Sequence, residues 1–440
     1  MNCKKCNAEL QPGTTVCPAC GAENSAKAKS NTLLVVLLAV CCIAVGALVA
    51  VWVMNMPQTG IANEPATSVP TTTVPLELKS YTQEDATVIA NADVVVATAG
   101  DQELTVGELQ VFYWSSVYEF LNQYSYYLSY IGMDYTQPLD QQVYDTETGA
   151  TWQEYFLNMA INNWQRYVVI SNMAEAADYK LSDEVQGYLD TLAQDMEEWA
   201  EQYGYGSVQD MISHDFGAAA SYEDYESYLK LYYNSYEYFG SEYDGMTVTE
   251  ADVENYYAEN EETLTSQGYG KDAGNSVDVR HVLIQPEGGT KSEDGKTTTY
   301  SDAEWEAARV KAQSLLDAWV QDDGTEEGFA NMAKANSADG NAEQGGLYED
   351  ITKNTNFVPE FLNWCMDESR KAGDYGLVKT TYGYHIMYFS ASESIWYANA
   401  ESAFRADVMN KRVEEFGKDY ELNLDMDKVM LSFIDLGATE

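Results

Sequence analysis

The sequence predicts an α+β protein in which a mainly helical region precedes a compact α/β region. Three observations carry this prediction. The chain of 440 residues begins with two Cys-x-x-Cys pairs, followed by 22 consecutive residues without a charge. Residues 106–257 place apolar side chains at helical spacing, with few prolines. From residue 278 onward, short β-branched and aromatic runs typical of strands alternate with amphipathic helical segments.

The N-terminal module, residues 1–24, has the cysteine spacing of a zinc ribbon. Cys3 and Cys6 form one pair, Cys17 and Cys20 form the other, and ten residues separate them. Four thiolates at this spacing suit tetrahedral ligation of a structural Zn²⁺. A dithiol redox pair is the alternative, but the βαβ surroundings expected of such a pair are missing. With four protein ligands, the metal has no position open for catalysis.

Residues 32–54 are predicted to form one transmembrane helix. At a rise of about 1.5 Å per residue, this stretch can cross a bilayer core of roughly 30 Å. Lys27 and Lys29 precede it, and the next basic residue is Lys79. This asymmetry predicts a single-pass protein of the cell membrane, with a cytoplasmic N-terminus and the bulk of the chain extracytoplasmic. The cytoplasm would also keep the ribbon thiols reduced.

Two other interpretations of the apolar segment were weighed. A cleaved signal peptide would have an unusually long apolar region and a zinc module before it. A lipoprotein motif ending at Cys41 would place the bulky Val40 before the cleavage point. Both are less consistent with the sequence than an uncleaved anchor.

The charge of the chain limits its partners. The formal net charge is −47, and because the first 30 residues carry +2, the remainder carries −49. Such an acidic body argues against binding to nucleic acid or to an anionic membrane surface. Residues 55–84, rich in Pro, Thr and Ser, are predicted to be an extended linker. Basic or unfolded proteins are the partners that remain.

Residues 85–277 are predicted to form a helical domain. A strand near 93–98 turns at Gly100, and Thr105 with Glu108 forms a capping-box pattern that opens the first long helix. The predicted helices are 106–132, 152–178, 182–203, 207–213, 222–239 and 250–266. Seven tyrosines lie within residues 112–135. Most are expected to be packing residues, but those left exposed could bind unfolded chains without sequence preference.

Residues 278–392 have the α/β pattern, and residues 393–440 follow it. The predicted strands are 279–285, 377–379 and 383–389, and the predicted helices are 301–319, 327–336 and 359–366. The last segment is expected to form a helix to about residue 416 and then a strand or hairpin. We expect this C-terminal segment to return and pack on the helical domain.

Two of the three histidines lie in similar surroundings within the α/β region. His281 and His385 each stand inside a short apolar run, about a hundred residues apart. Two buried core histidines with satisfied hydrogen bonds are the structural explanation of this pattern. A paired site is the functional one, and the motifs between the two histidines favour it.

Those motifs resemble the parvulin family of peptidyl-prolyl cis/trans isomerases. They are VRHVLIQ, AARVKAQSLLDAW, FANMAKANSADGNAEQGG, FVPEF and TTYGYHIMYF, which occur in this order between residues 278 and 390. The resemblance implies an antiparallel sheet with surrounding helices. The helical region resembles, more loosely, the chaperone domain of exported foldases of the PrsA/SurA type. A zinc ribbon with a transmembrane helix departs from the usual lipoprotein form of that family.

The resemblance implies roles for nine residues. The catalytic set would be His281, Asp339 and His385, with the two imidazoles hydrogen-bonded to each other and Asp339 beside the substrate carbonyl. The substrate-binding set would be Phe357, Phe361, Tyr348, Leu347, Thr380 and Tyr382. Of these, Phe357 and Phe361 match the pocket for the proline ring. No cofactor is implied for the isomerase reaction.

The pocket departs from the family pattern at one motif. The usual Gly-Gly-Asp-Leu-Gly is replaced by Gly345-Gly346-Leu347-Tyr348-Glu349. The leucine that would contribute to the pocket is therefore displaced, or Tyr348 replaces it.

Together these patterns predict a membrane-anchored extracytoplasmic foldase. It would catalyse cis/trans isomerisation of X–Pro bonds in newly exported proteins and would also act as a chaperone. The alternative is a holdase that has the parvulin fold but no catalytic activity. A zinc-ribbon sensor of misfolded protein is a weaker third interpretation. The sequence leaves open whether the chain forms a homodimer.

Overall fold

The computed structural model describes residue 78 and residues 80–124, 128–292 and 298–436, with only the backbone at 129 and 130. The described chain forms two compact units. The first unit runs to Met246 and resumes at Ala406, and the second runs from Thr247 to Arg405. The predicted zinc ribbon and membrane span lie outside the described residues. No helix within the described ranges is both long enough and apolar enough to span a membrane.

The described part is a mixture of helices and short strands, which confirms the α+β prediction. The helices are α1 (Ala86–Ala90), α2 (Val106–Tyr124), α3 (Leu128–Ile131), α4 (Trp152–Ala176), α5 (Asp183–Tyr203), α6 (Val208–Phe216), α7 (Tyr222–Asp244), α8 (Glu250–Ser266), α9 (Asp302–Asp322), α10 (Glu326–Asn336), α11 (Pro359–Cys365) and α12 (Ile395–Gly417). The strands are β1 (Ser80–Thr82), β2 (Val95–Ala99), β3 (Gln102–Thr105), β4 (Asn275–Ile284), β5 (Thr290–Lys291), β6 (Thr298–Thr299), β7 (Leu347–Ile351), β8 (Tyr375–Lys379), β9 (Tyr384–Ser394), β10 (Leu422–Leu424) and β11 (Leu431–Phe433).

The first unit is built on helices α2, α4 and α7, which pack around large aromatic side chains. Phe112 and Trp114 of α2 and Phe156 and Trp164 of α4 are at most 1% exposed. Burying such rings contributes on the order of 1.5–3 kcal/mol each. The N-termini of α4 and α7 are closed by capping boxes, Thr151 with Glu154 and Ser221 with Asp224. These caps explain why both helices begin where the sequence predicted.

The predicted helix 106–132 is described as two helices on either side of residues 125–127. Helix α2 ends at Tyr124, and α3 is a separate short helix. The predicted capping box is also incomplete, because Glu108 donates its backbone N–H to Thr105 but its carboxylate binds Ser227 instead.

The C-terminal segment forms two strands that pair with different partners. β10 pairs with β2 in the sheet β10-β2-β3, and β11 pairs in parallel with β1. The prediction was a strand or a hairpin; strands form, but they do not pair as a hairpin, and a 3₁₀ turn at Met426–Lys428 separates them. Gln110 and Trp114 of α2 fix this segment through hydrogen bonds to the backbone of residues 430 and 432.

The second unit contains the antiparallel sheet β7-β4-β9-β8. Side chains of β4 alternate between its two faces, as the strand period requires. Val282 and Ile284 pack on one face with α9 and α10. Val277 and Val279 pack on the other face with α11. Both histidines lie on this second face.

The division of the chain differs from the predicted boundaries at 277/278 and 392/393. Helix α8 belongs to the second unit, since Val253, Tyr257 and Leu264 pack there with Ala400. Residues 393–405 also belong to the second unit, and only the chain after Arg405 joins the first. Apolar periodicity gives helix positions, but it does not say which core an amphipathic helix covers.

Candidate functional site

Neighbouring strands bring His281 and His385 into direct contact. In the register of β4 and β9, His281 lies opposite Met387 and His385 lies opposite Leu283. Both histidines therefore project from the same face. Their Nδ1 atoms are 3.0 Å apart, and the side chains are 1% and 5% exposed. Two isolated core histidines would not share a hydrogen bond, so the pairing favours a site.

The histidine pair is the centre of a longer row of polar groups. His385 Nε2 lies 2.8 Å from Thr380 Oγ1, which also accepts a hydrogen bond from the backbone N–H of Tyr382. On the other side, His281 Nε2 lies 3.5 Å from Asp339 Oδ1. This last contact is longer than an ordinary hydrogen bond. The row connects the β8–β9 turn, the two strands and the loop after α10.

The electrostatics of the row favour one arrangement of protons. Nearby His281 holds the pKa of the Asp339 carboxyl well below its usual range, so this group is anionic at neutral pH. Burial lowers the pKa of His385 to about 4, with the neighbouring His281 adding to the effect, so His385 is neutral. If each ring carries one proton, the carboxylate requires a proton on His281 Nε2.

That requirement fixes the remaining hydrogen bonds. His281 Nδ1 must accept from the Nδ1–H of His385, because both atoms cannot lack a proton. His385 Nε2 must then accept from the hydroxyl of Thr380. In this arrangement Asp339 acts on the two rings and on the threonine hydroxyl by charge and not through a hydrogen bond, because His281 Nε2 has no hydrogen-bond partner among the described residues. The row can hold a fixed pattern of dipoles, which is what pre-organised electrostatic stabilisation needs.

The loop that carries Asp339 is fastened to strand β4. Ser337 Oγ accepts hydrogen bonds from the backbone N–H groups of Leu283 and Asp339, and Ala338 N–H donates to the carbonyl of Leu283. Asp339 Oδ1 in turn accepts from the N–H of Asn341. These bonds leave the carboxylate little freedom, and its side chain is 21% exposed.

Three aromatic rings pack together as an apolar cluster beside the polar row. Phe361 is buried, and its ring centroid lies 5.1 Å from that of His281 and 5.2 Å from that of His385. Phe357 packs against Phe361 and Tyr348 with both centroid distances at 5.1 Å. Edge-to-face packing of this kind holds the rings in defined positions. The structure thus brings together all three predicted catalytic residues with Phe357, Phe361, Thr380 and Tyr348.

Tyr348 joins the apolar and polar parts of the site. Its hydroxyl donates to Asp339 Oδ1 over 3.0 Å, and its ring tilts against that of His281. Burial raises the pKa of Tyr348 to about 12, and the charge of Asp339 adds to this effect. The phenol therefore remains a donor at physiological pH.

Two predicted substrate-binding residues occupy other places. Leu347 pairs with Arg280 in the β4–β7 register, whereas Tyr348 pairs with Val279 on the face of the histidines. Because side chains alternate along a strand, Leu347 lies on the opposite face from the aromatic cluster. Tyr382 is 59% exposed, and its link to the site is its backbone N–H.

The sequence did not single out Ser337, Asn341 or Gly346 as parts of the site. Gly346 has φ +70°, and a Cβ built there would lie 2.1 Å from the carbonyl oxygen of His281. Only glycine fits at this position. Asn341 donates its side-chain amide to the carbonyl of Leu347, which aligns the start of β7. The one sequence signal for these supporting residues was the run of turn-forming residues around Asp339.

The other reactive side chains lie apart from this row. Cys365 is a buried free thiol, and burial raises its pKa to about 12. His214 contacts Asp215 and Tyr205 in the first unit. Across the described ranges, no cluster of three or more His, Cys, Asp or Glu side chains has the arrangement to hold a metal ion.

A family match covers the region that contains this row. Residues 264–392 match the family of PPIC-type PPIASE domains. The Foldase protein PrsA of Clostridium botulinum (strain Loch Maree / Type A3) is 31% identical over 144 residues, which cover 32% of this chain. The matched segment spans 33% of that relative's length.

Two solved structures are similar to parts of this chain. PrsA from Bacillus subtilis is 19% identical, with 61% of this chain and 86% of that chain covered and a TM-score of 0.27. Peptidyl-prolyl isomerase ESS1 from Candida albicans is 18% identical, with 32% and 77% covered and a TM-score of 0.22.

Proposed function

We propose that this chain, in which residues 264–392 form a parvulin domain of the PPIC type, is an extracytoplasmic foldase. It would catalyse cis/trans isomerisation of X–Pro bonds in exported proteins and bind these proteins while they fold. The observation that carries the proposal is the row Thr380–His385–His281–Asp339 beside an aromatic cluster.

Isomerisation of an X–Pro bond needs no covalent attack. The barrier of about 18–20 kcal/mol arises from amide resonance, which is lost when the bond twists. An enzyme lowers this barrier by binding the twisted amide more tightly than the planar one. Each tenfold of rate needs about 1.4 kcal/mol of such differential binding. The uncatalysed reaction takes tens to hundreds of seconds, which is slow enough to delay folding.

The residues of the site fit these needs. Phe357 and Phe361 would hold the proline ring. Asp339 would lie beside the carbonyl oxygen of the residue before the proline. This oxygen is more negative in the planar amide than in the twisted one. The negative charge of Asp339 therefore disfavours the planar amide. The histidines and Thr380 would act as positioning residues that fix the carboxylate and exclude water.

A protease-coupled proline-isomerisation assay on the purified chain tests this proposal. Asp339→Ala and His385→Ala should each reduce kcat/KM at least about tenfold, because each removes more than about 1.4 kcal/mol of differential binding. Asp317→Ala, which changes an exposed carboxylate on α9, is the matched control and should have no effect. No rate above background for any X–Pro peptide would reject the enzyme and leave the binding function.

A holdase without catalysis is the second candidate, and one observation favours it. The Tyr348 hydroxyl already donates a hydrogen bond to Asp339 Oδ1, and the Tyr348 ring packs against Phe357. If this tyrosine blocks the proline ring, Tyr348→Leu should create activity that the natural chain lacks. If the chain is an enzyme, the same change should alter KM more than kcat.

Exposed aromatic side chains of the first unit support client binding. Tyr124 and Tyr144 are 37% and 43% exposed, and Val143 is 52% exposed. Tyr144 packs on Tyr155, whose ring lies beside Phe120. Aromatic surfaces of this kind bind apolar segments without strict sequence preference.

The remaining features of the proposal concern the N-terminal residues. We propose that residues 32–54 anchor the chain in the cell membrane, with residues 1–24 on the cytoplasmic side. Cys3, Cys6, Cys17 and Cys20 form a donor set of four thiolates that suits Zn²⁺. Metal analysis of the purified chain should give one zinc per molecule, and a Cys3→Ser/Cys6→Ser variant should lose it. Sedimentation of the same protein would decide between a monomer and a homodimer.

A further inference from the structure

A cleft of about 160 Å³ lies in the first unit between helices α4 and α7. Its walls are Arg166, Tyr167 and Ile170 from α4 and Tyr232, Tyr236 and Phe239 from α7. A cavity of about 150 Å³ in another protein is large enough to bind benzene. The cleft therefore has room for about one aromatic side chain.

Arg166 is unusual among the arginines of this chain. Its Nη2 donates to Asn410 Oδ1 over 3.1 Å, and its guanidinium lies 5.3 Å from the centre of the Phe239 ring. The other five arginines each contact a carboxylate; they are Arg280, Arg309, Arg370, Arg405 and Arg412. Arg166 has no such ion pair with any residue that the structure describes.

The lack of a carboxylate partner is informative because acidic residues are abundant. The chain has 71 of them against 24 basic residues. Burial lowers the pKa of Arg166, yet a guanidinium remains charged at any physiological pH. A half-buried charge without an ion partner is costly unless something else compensates it. Five N–H donors are available on a guanidinium, and Asn410 uses one.

The rest of the cleft is aromatic and has no negative charge. The rings of Tyr167 and Tyr232 pack edge to face, and Tyr232 stacks on Tyr236 with an interplanar angle of 10°. Ser235, which also lines the cleft, donates its hydroxyl to the carbonyl of Tyr167. Arg166 is therefore the charged group through which a ligand could be recognised.

We propose that this cleft binds an aromatic side chain of a client segment and that an adjacent Asp or Glu of the client pairs with Arg166. This proposal rests on the client-binding function proposed above. It adds which client segments the helical unit prefers, namely those with an aromatic residue next to an acidic one. A carboxylate is the preferred partner because its charge is opposite to that of Arg166. An aromatic ring is the preferred side chain because the cleft is lined by tyrosines and has the volume for one ring. A bidentate arginine–carboxylate pair would also fix the direction of the bound segment.

Calorimetric titration of the full chain with matched peptides tests the proposal. The probe is an acetylated and amidated ten-residue peptide of Gly and Ser with one Phe-Asp pair, so that the aspartate is its one charge. Replacing this Asp by Asn should weaken binding about tenfold, as should replacing the Phe by Ala. The peptide comparison uses the natural chain and does not depend on the folding of a variant.

Variants of the protein place the effect at Arg166. Arg166→Gln should bind the Phe-Asp peptide about tenfold more weakly and should no longer distinguish it from the Phe-Asn peptide. Arg412→Gln, which removes an exposed arginine of the same unit, is the matched control and should bind as the natural chain does. Thermal unfolding of both variants shows whether the unit remains folded.

Three results would overturn the inference. The first is equal binding of the Phe-Asp and Phe-Asn peptides by the natural chain. The second is the same loss of affinity in Arg166→Gln and Arg412→Gln. The third is a homodimer that Arg166→Gln dissociates while neither protein binds peptide, because a second copy would then fill the cleft. Proline isomerisation and suppression of client aggregation, measured on the same samples, show separately whether the proposed function holds.

Discussion

The helical unit and the sheet unit each bury a titratable side chain beside a hydroxyl, and burial moves the two pKa values in opposite directions. Glu108 of α2 accepts a hydrogen bond from Ser227, and burial raises its pKa to about 7. His385 of β9 lies against Thr380, and burial lowers its pKa to about 4. Apolar surroundings disfavour the charged form in both cases. The directions differ because one group is an acid and the other is a base.

This difference predicts opposite pH dependence for the two units. The folded state binds the Glu108 proton more tightly than the unfolded chain does, so this stabilisation is complete below about pH 4.5 and lost as pH rises through 7. The folded state binds the His385 proton more weakly. That stabilisation is present above about pH 6.5 and lost as pH falls through 4. Acid should therefore weaken the catalytic unit before the helical one.

The largest effect is expected from a substitution that disrupts the second unit and leaves the helical unit unchanged. Gly346→Ala would place a Cβ 2.1 Å from the carbonyl oxygen of His281 at a φ of +70°. We expect a loss of about 4 kcal/mol or more from the unfolding free energy of the second unit. Gly373→Ala, with φ +93° and open space around it, is the control for backbone strain alone. Equal losses in denaturant titrations of the two variants would show that β7 can shift away from β4.

A second prediction tests the acid-sensitive side of the comparison. Between pH 6.5 and 4, the second unit should lose about 3 kcal/mol of unfolding free energy, from about 1.4 kcal/mol per pKa unit. His385→Gln should be less stable at pH 7 but should lack this decline. His214→Gln, which changes the half-exposed histidine of the first unit, should retain it. The contribution of Asp339 to the unfolding free energy does not change in this range, because that contribution is lost only below about pH 3.9.

A third prediction tests the alkaline side. The first unit should lose about 2–3 kcal/mol of unfolding free energy between pH 4.5 and 7 as Glu108 ionises in the unfolded chain. Glu108→Gln keeps the shape of the side chain without its charge and should remove the part of the decline that Glu108 contributes, while Glu119, Asp215 and Asp224, whose pKa values burial also raises, retain theirs. Glu103→Gln on the exposed strand β3 is the control. A decline of the same size in Glu108→Gln would mean that another group is responsible.

The smallest predicted effect sharpens the account of the polar row. Thr380→Val removes the hydroxyl that donates to His385 Nε2, and one such hydrogen bond contributes about 1 kcal/mol. We expect kcat/KM to fall about fivefold, whereas Thr380→Ser should retain most of the activity. Thr381→Val, at the exposed neighbouring position, serves as the control. If Thr380→Val and Thr381→Val behave alike, the threonine does not orient the histidines.

Much of this site could be predicted because its residues lie in short, recognisable motifs. The strand runs around His281 and His385 and the sequence around Asp339 indicated which residues would meet. The sequence could not show that Leu347 and Tyr348 face opposite sides of β7, because β7 itself was not predicted. Strand Leu347–Ile351 contains Glu349 and Asp350, which are unfavourable in strands.

The positions of the helices in the helical region could be predicted from the sequence. Which hydrophobic core each helix packs on could not. The predicted helix starts at 182, 222 and 250 agree within one residue with helices that Ser182, Ser221 and Thr249 cap. Helix α8 nevertheless belongs to the second unit, since its apolar stripe covers Trp396 and Ala400 of α12. Arg166 was also missed. Only tertiary structure shows that one arginine in an acidic chain has no carboxylate beside it among the described residues.

Exchange spectroscopy by NMR tests the central claim most directly. The cis/trans exchange rate of an Ala-Pro peptide would be measured with substoichiometric amounts of the full chain and of Asp339→Ala. The account predicts clear acceleration by the natural chain, at least about tenfold less by the variant, and equal suppression of client aggregation by both. An exchange rate equal to that of the peptide alone, in a sample that still suppresses aggregation, would contradict it.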